Sequence, residues 1–575
     1  MAKRNRVLLA ASYSVIEPLG LLHLAGLARD LGWERKIHLV PNHDFESFFE
    51  KVKDFKPDVV GFNVYTGNHL QLFQAFEKLK KDHPNIVTVV GGPHPTYFPV
   101  ESSKHVDYAV MSEGFGSFRQ ILEGKTSKGI LIANKTEPFP HPDRETFYKD
   151  YPDHGKSKIK SIISMTGCPY RCTYCYNSST PEDISVSHEV AQKMAKSLGM
   201  GGRLFPHNVR TVEAVLQEGE ELRERWPTEV IYFQDDVFGF DEKEDGFLEK
   251  LAQRWPSEVN IPFHAQMRWE MTKSDRRLEK IRAAGGFGLT LAIESSNPSI
   301  RKEVLSRAMQ DELVFEGMEK VIGYGFKVRT EQITGLPYGA TSEKTLMNLE
   351  ADLELLKYNV ELKEKTGGPT MGWASTLAPY KGTKLFGYCQ KYGYYAGDND
   401  DVPDTFFERS VLKFLKEWIG PKLEQFKNDP EIWLAPEELE RYRDQNAELR
   451  RKFSFFVEVP KGHILAKNYL ANGKTSYSFE QLGKATEIHL KTIEPKLIHK
   501  IQEMRDKIPQ ITSEPHEQKC LFELAPYFGC LPKGELAARR FLKYGQENGE
   551  LTSIVLSNAT RHHLYDEVLY AHEKN

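Results

Sequence analysis

The chain has 575 residues, 40% hydrophobic and 27% charged, enough apolar material for about three to four packed domains and too much for a disordered polymer. Lys plus Arg number 77 against 81 Asp plus Glu, a net charge of −4, which argues against a nucleic-acid binder because that would need a clustered basic excess. Only six cysteines occur, which rules out a disulfide-stapled scaffold, and no apolar run nears the roughly 20 residues of a membrane helix.

In chain order, the N-terminus MAKRNRVLLAAS starts basic, but its apolar stretch is too short for a signal peptide. Residues 1–125 then alternate short β-rich runs with amphipathic helices. Strands are expected at Val7–Ala10, Ile37–Val40, Val59–Asn63, Ile86–Val90 and Tyr108–Met111, with a helix over Leu19–Leu31 opening behind Pro18. This alternation predicts an α/β fold, a doubly wound (Rossmann-like) parallel sheet with helices on both faces. Residues 134–158 are polar, Pro-containing and aperiodic, and read as a linker.

A second alternating block follows, with strands at Ser161–Met165, Val230–Phe233, Phe263–Gln266, Gly288–Ile293, Lys327–Ile333 and Thr370–Ser375 and helices in the gaps, such as Arg210–Arg225 and Lys273–Ala284. Six βα units predict a partial (β/α)6 barrel with its working loops at the strand carboxyl ends. Residues 178–207 read as an insertion. Beyond about residue 395 the β signal fades into amphipathic helix, with Trp418, Trp433 and Leu434 as expected core. The expected division is therefore 1–133, a linker at 134–158, 159–394, and a mostly α-helical C-terminal domain over 395–575.

Three cysteines crowd into Cys168-Pro-Tyr-Arg-Cys172-Thr-Tyr-Cys175, directly after a predicted strand. Thiolates favour iron–sulfur clusters, zinc or copper(I). A closed zinc site wants four ligands, commonly two paired cysteines twice, and Cys389, Cys520 and Cys530 are distant and unpatterned. Three thiolates on a four-iron cluster leave one iron open to a small molecule; zinc with a His or a remote Cys as fourth ligand is the alternative.

The motif resembles that of the radical S-adenosylmethionine (SAM) superfamily, CxxxCxxC after the first strand of a partial barrel. The resemblance implies that Cys168, Cys172 and Cys175 hold a [4Fe–4S] cluster whose fourth iron is chelated by SAM, and that reduction yields a 5′-deoxyadenosyl radical. Tyr174 stands where the family carries an aromatic. Gln234 and Asp235 are similar to a family segment after the second strand, where an oxygen accepts from the cofactor ammonium; Asp235 can equally cap a helix. Arg268, after the third strand, can fork onto the methionine carboxylate or pair with an acid. Glu294 and Ser295 resemble the segment after the fourth strand that meets the ribose or the ammonium, and Arg307 stands where related enzymes place an arginine for the carboxylate.

The first block has no G-x-G-x-x-G after its first strand, against a dinucleotide site. Instead Thr66-Gly67-Asn68, Gly91-Gly92-Pro93-His94 and Glu113-Gly114 follow successive strands, small residues that let backbone approach a flat ligand. The pattern resembles the cobalamin-binding domain of one large branch of radical SAM enzymes, which implies that these nine residues contact cobalamin. The D-x-H-x-x-G pattern whose histidine ligates cobalt is absent, as Asp153-His154-Gly155 has the wrong spacing. Together the two domains imply a C-methyltransferase in which the radical opens an unactivated carbon and methylcobalamin delivers a methyl group. A cobalamin-dependent cyclase or rearrangement enzyme without methyl transfer is the alternative, and a non-catalytic corrinoid-binding protein a remote one. A reductant such as flavodoxin or ferredoxin, a small-molecule or peptide or protein substrate, no nucleic acid and a cytoplasmic setting complete the expectation.

Overall fold

The computed structural model describes residues 5–14, 16–41, 44–132, 137–180, 192, 204–205, 207–241, 243–397, 409–458, 460–471, 479–484 and 503–514, with Glu517, Gln518, Leu521, Glu535, Ala538, Arg539 and Leu542 beyond. Cys520 and Cys530 lie outside these residues, as does most of 178–207. The chain divides into two compact units, one of Met1–Ser14, Pro18–Phe147 and Lys158–Phe479, the other of Val15–Glu17, Tyr148–Ser157 and Glu480–Asn575. Both six-stranded sheets belong to the first.

Arg6–Ser12 (β1), Glu34–Val40 (β2), Val59–Asn63 (β3), Val87–Gly91 (β4), Tyr108–Met111 (β5) and Gly129–Ile132 (β6) form one sheet in the order β2-β1-β3-β4-β5-β6. Every pairing is parallel. The central strands read as near-continuous apolar runs because helices cover both faces. Leu8, Val60 and Val90 are buried, with Phe48 and Phe76 packed over them. β6, which the sequence pattern did not reveal, is four half-buried residues at the sheet edge. The strand order turns back between β1 and β3, the position at whose carboxyl edge sheets of this kind bind ligands. There Tyr13 and Tyr65 are 53% and 51% exposed.

Ile159–Ile162 (β7) pairs with Val230–Phe233 (β10), and Phe263–Met267 (β11), Gly286–Glu294 (β12), Lys327–Thr334 (β13) and Met371–Thr376 (β14) follow in sequence order, all parallel. Between β7 and β10, Met165–Thr166 (β8) and Asn208–Val209 (β9) make a short antiparallel pair. Burial alternates with period two. Phe263, Ala265 and Met267 are buried on the helix-covered face, while His264 and Gln266 are half-buried on the inner one; Arg329 and Glu331 repeat this on β13. This is the curled half-barrel the βα count predicted. Helix Pro436–Glu458 covers the edge strand β14: Ser454 Oγ donates to the Gly372 carbonyl (2.6 Å), and a Cβ at Gly372 would lie 2.9 Å from the Val457 side chain.

The segment read as an aperiodic linker contains two short helices, Arg144–Asp150 and Pro152–Lys156. Neither is long enough to show a helical period. The first is started by Asp143, which accepts from the Thr146 amide and hydroxyl. Arg144 is fully buried and donates to the Ser161 carbonyl and to Glu218, both at 2.5 Å. Glu218 also accepts from Arg210, again at 2.5 Å. The His23 ring faces the same group, its Nδ1–H donating to the Pro140 carbonyl (2.6 Å); burial, with Arg210 adding to it, lowers its pKa to about 4, so it is neutral. Burial works against ionised Glu218, yet Arg210 and Arg144 pull its pKa down to about 2. Arg144, held by this carboxylate, thus ties the connecting segment to β7, while His23 ties the first helix, Leu19–Asp30, to Pro140 of the same segment.

Removing one member of a buried ion group strands the others in low dielectric. Glu218→Gln is expected to cost about 3–5 kcal/mol, read as a lowered midpoint in urea unfolding; an unchanged midpoint would mean that the two arginines are not held by this carboxylate.

Candidate active site

The cysteine loop leaves β7 through Ser164 and the pair β8–β9, and is tied down on all sides. Ser178 Oγ donates to the carbonyls of Cys172 (2.7 Å) and Cys175 (2.8 Å). The Thr173 amide donates to Leu305 O (3.1 Å), and the Leu385 amide to Thr173 O (2.9 Å). Asp235, fully buried, accepts from the Ser164 and Met165 amides and from the Ser164 hydroxyl. None of the three sulfurs is in a disulfide. Burial raises the Cys175 thiol pKa to about 12, with Asp236 and the other two cysteines adding to it, and burial likewise raises Cys168. As free thiols these two resist ionisation; a cationic metal centre reverses that.

Two guanidiniums flank Cys172. Arg268 Nη1 lies 3.0 Å from its Sγ and Arg307 Nη1 4.0 Å. Arg268 is pinned by Glu270 through Nη2 (2.6 Å) and Nε (3.1 Å), and stacks 3.9 Å over the Tyr170 ring. Arg307 donates to the Tyr174 hydroxyl (3.1 Å) and the Ala292 carbonyl (2.7 Å) and lies 3.5 Å from Glu294. Tyr174 in turn donates to Glu294 (2.5 Å). Glu294 is thrown into this group by a φ of 65° and a register shift at the end of β12. Ser295 is buried, its hydroxyl accepting from the Asn297 amide (3.3 Å). The structure therefore brings Tyr174, Arg268, Glu294 and Arg307 together beside Cys172.

Gln234 is half-buried and donates to Ser161 Oγ (3.2 Å). The carboxylate that faces the cysteines is Asp236, which the sequence reading passed over; it accepts from the Gly167 amide and the Asn177 side chain. Period two could have found it, since Tyr232, Gln234 and Asp236 share the inner parity and Asp235 the buried one.

Across from the loop stand the turns after β3, β4 and β5. Gly92 has φ 101°, and a Cβ there would meet Asn63 Oδ1 at 2.1 Å. Pro93 starts the turn Pro93–Tyr97 beside Gly91 and Gly92. Thr66 Oγ1 and His94 Nδ1 share a hydrogen bond (3.0 Å), Asn68 donates to Ser12 Oγ (2.8 Å), and the Gly67 amide donates to His69 Nδ1 (3.2 Å). His94 is fully buried, stacked 4.1 Å from His69, and burial holds its pKa down at about 2. These side chains shape the turns from behind. The Ser112 hydroxyl is buried with no hydrogen-bond partner among the described residues. Gly114 caps helix Phe115–Leu122. Glu113 accepts from the Glu137 amide (3.2 Å) and from Asn208 (3.0 Å) in β9.

A second contact that sequence did not signal joins the two sheets. Tyr97 stacks on Tyr176, the residue after Cys175, at 4.1 Å, and donates to its carbonyl (2.8 Å); Tyr380 lies 5.5 Å from Tyr176. The carboxyl edge of the first sheet is thereby set against the cysteine loop.

Two family models match this chain. A B12 binding domain model matches residues 5–122 and a Radical SAM superfamily model residues 162–347. An uncharacterized methyltransferase of Pyrococcus horikoshii is 22% identical over 64% of this chain and 78% of its own. Cytidylyl-2-hydroxyethylphosphonate methyltransferase of Streptomyces wedmorensis is 21% identical, over 71% and 84%. The solved structure of the radical S-adenosylmethionine methyltransferase TsrM from Kitasatospora setae, with cobalamin and a [4Fe-4S] cluster bound, shares the fold at a TM-score of 0.50 and 14% identity, covering 68% of this chain and 76% of that one.

Burial, with the neighbouring Glu137 carboxylate adding to it, raises the Glu113 pKa from 4.5 to about 7 against the donors that favour its ionised form. A carboxyl whose folded pKa is raised adds stability that is complete below about 4.5 and lost as pH rises through about 7. The Glu137 amide is expected to exchange faster at about pH 8 than the intrinsic rate increase accounts for. Glu113→Gln should flatten this dependence; identical protection profiles for the two proteins would contradict it.

Proposed function

The chain belongs to the cobalamin-dependent radical S-adenosylmethionine enzymes, and on that premise we propose that it is a C-methyltransferase acting on an unactivated carbon. The observation that carries this reading is the tie between Tyr97 and Tyr176, which holds the carboxyl edge of a cobalamin-binding sheet against a three-cysteine loop. The donor sets fit the groups. Three soft ligands share one scaffolded loop, and the opposing sheet edge offers Gly92, where no side chain fits, and two exposed tyrosines. When bound, the cluster with SAM supplies a hydrogen-abstracting radical, and cobalamin supplies the methyl group.

The protein's own part is binding, orientation and exclusion of water. Cys168, Cys172 and Cys175 ligate three irons. Asp235 does not face outward; it fixes the strand-to-loop turn through Ser164. Glu294, Tyr174 and Arg307 form a charged group beside Cys172 suited to the ammonium and carboxylate of SAM, with Ser295 and Gln234 on the same rim. Arg307 keeps a buried Nε without a hydrogen-bond partner among the described residues, so it has a donor to give. Thr66, Gly67, Asn68, Gly91, Gly92, Pro93, His94, Glu113 and Gly114 shape the cobalamin shelf, His94 by packing rather than ligation. The stacked Tyr97 and Tyr176, with Tyr380 tilted against Tyr176, wall off solvent between the shelf and the loop.

No helix among the described residues is long and apolar enough to cross a membrane. Cluster chemistry needs an external reductant, for which a flavodoxin or ferredoxin in the cytoplasm suits an oxygen-sensitive iron. The substrate is a small molecule, a peptide or a protein.

Anaerobically reconstituted protein given SAM, reductant and substrate should form methylated product, S-adenosylhomocysteine and 5′-deoxyadenosine together. Cys172→Ala should abolish the deoxyadenosine. Deoxyadenosine with substrate consumed and no S-adenosylhomocysteine would reject methyl transfer in favour of cyclisation or rearrangement.

A further inference from the structure

Arg268 was expected either to fork onto a carboxylate of the cofactor or to pair with an acid, and it pairs with Glu270: three of its five N–H donors are engaged within the protein. Nε and Nη2 are fixed by Glu270, Nη1 lies 3.0 Å from Cys172 Sγ, and one face of the guanidinium covers the Tyr170 ring inside the cysteine loop. The group is 6% exposed, so water screens it little, and a guanidinium does not lose its proton in a protein. Its ion pair with Glu270 does not cancel it at the sulfur, because the pair is a dipole whose positive end touches Cys172. Arg307 adds a second cation 4.0 Å from the same atom.

We propose that Arg268, backed by Arg307, is a positioning residue that tunes the iron–sulfur cluster by donating an N–H···S hydrogen bond to Cys172, making one-electron reduction easier. The inference rests on the reading that the three cysteines hold that cluster. The electron comes from an external reductant of the flavodoxin or ferredoxin class and adds one negative charge to the metal–sulfur unit, with no bond made or broken and no proton taken up. A buried donor and a fixed positive charge beside a ligand sulfur stabilise the more negative state, which raises the potential. Glu270 and Tyr170 hold the guanidinium so that this contact needs no reorganisation when the electron arrives.

The test is a potentiometric titration of the full-length protein, anaerobically reconstituted and free of SAM, followed by the electron paramagnetic resonance signal of the reduced cluster. Wild type, Arg268→Gln and Arg268→Lys are compared after iron and sulfide analysis. Arg268→Gln should keep its iron, yet at a fixed poise its reduced-to-oxidised ratio should fall at least tenfold, 59 mV for a one-electron couple. Arg268→Lys, which keeps charge but not the planar fork, should fall less. Both variants titrating with wild type would overturn the proposal, as would loss of iron from both, which would make Arg268 a structural clamp. If only the Gln variant loses iron, the Lys variant decides: a lowered potential supports the proposal and a wild-type one overturns it. An Arg268→Gln protein that binds SAM more weakly while keeping the wild-type potential would return Arg268 to the carboxylate role. Wild type without iron would instead remove the reading of the cysteines themselves.

Discussion

The proposed chemistry depends on one short loop, and the surrounding structure holds its three sulfurs while leaving them out of any disulfide. The backbone between Cys168 and Cys175 is fixed by Ser178, Leu305 and Leu385, and the turn that delivers it by Asp235. Those bonds come from the short turn Tyr176–Ser178, from the end of β10, from the turn beyond β12 and from the helix Lys384–Lys391. A loop pinned by four elements loses little entropy when it binds a metal centre, and its ligands need not be gathered from an unfolded state. The rest of the half-barrel can be read as the frame that brings those elements to one edge.

The first sheet is fastened to this frame at three places of different chemistry. The buried Arg144 of the group around Glu218 fixes the connecting segment to β7, and His23 of the first helix bonds the Pro140 carbonyl of the same segment. Glu113 reaches Asn208, and so the strand that pairs with β8 just before the cysteines. Tyr97 meets Tyr176 directly behind Cys175. Ionic, carboxyl–amide and aromatic contacts respond differently to salt, pH and temperature. Their joint effect is to keep two ligand-binding edges in register, as a reaction shared between two large cofactors requires.

Much of this was legible in the sequence. Val59–Asn63 and Val230–Phe233 were bounded correctly because β-branched and aromatic runs end at turn residues, and the three cysteines sit where a strand gives way to a loop. What stayed hidden was set by tertiary neighbours or by parity. Asp235 and Asp236 are alike as residues, and only the strand's alternation decides that one holds backbone and the other faces the sulfurs. For Arg268 the sequence left open a cofactor carboxylate or an acidic partner, and only the fold shows that Glu270, two residues on, occupies its fork. Tyr97 and Tyr176 are far apart in sequence and have no pattern in common, so their stacking could not be anticipated. The helix Arg144–Asp150 is too short to show periodicity, and β6 too short to show alternation.

The central claim is that Cys168, Cys172 and Cys175 ligate three irons of a cluster and leave the fourth to SAM. It is tested most directly by iron analysis and electron paramagnetic resonance of the anaerobically reconstituted, reduced protein, before and after SAM is added. About four irons per chain and a cluster spectrum that changes on adding SAM are the expected result. A protein without iron, or a cluster spectrum indifferent to SAM, would contradict the account.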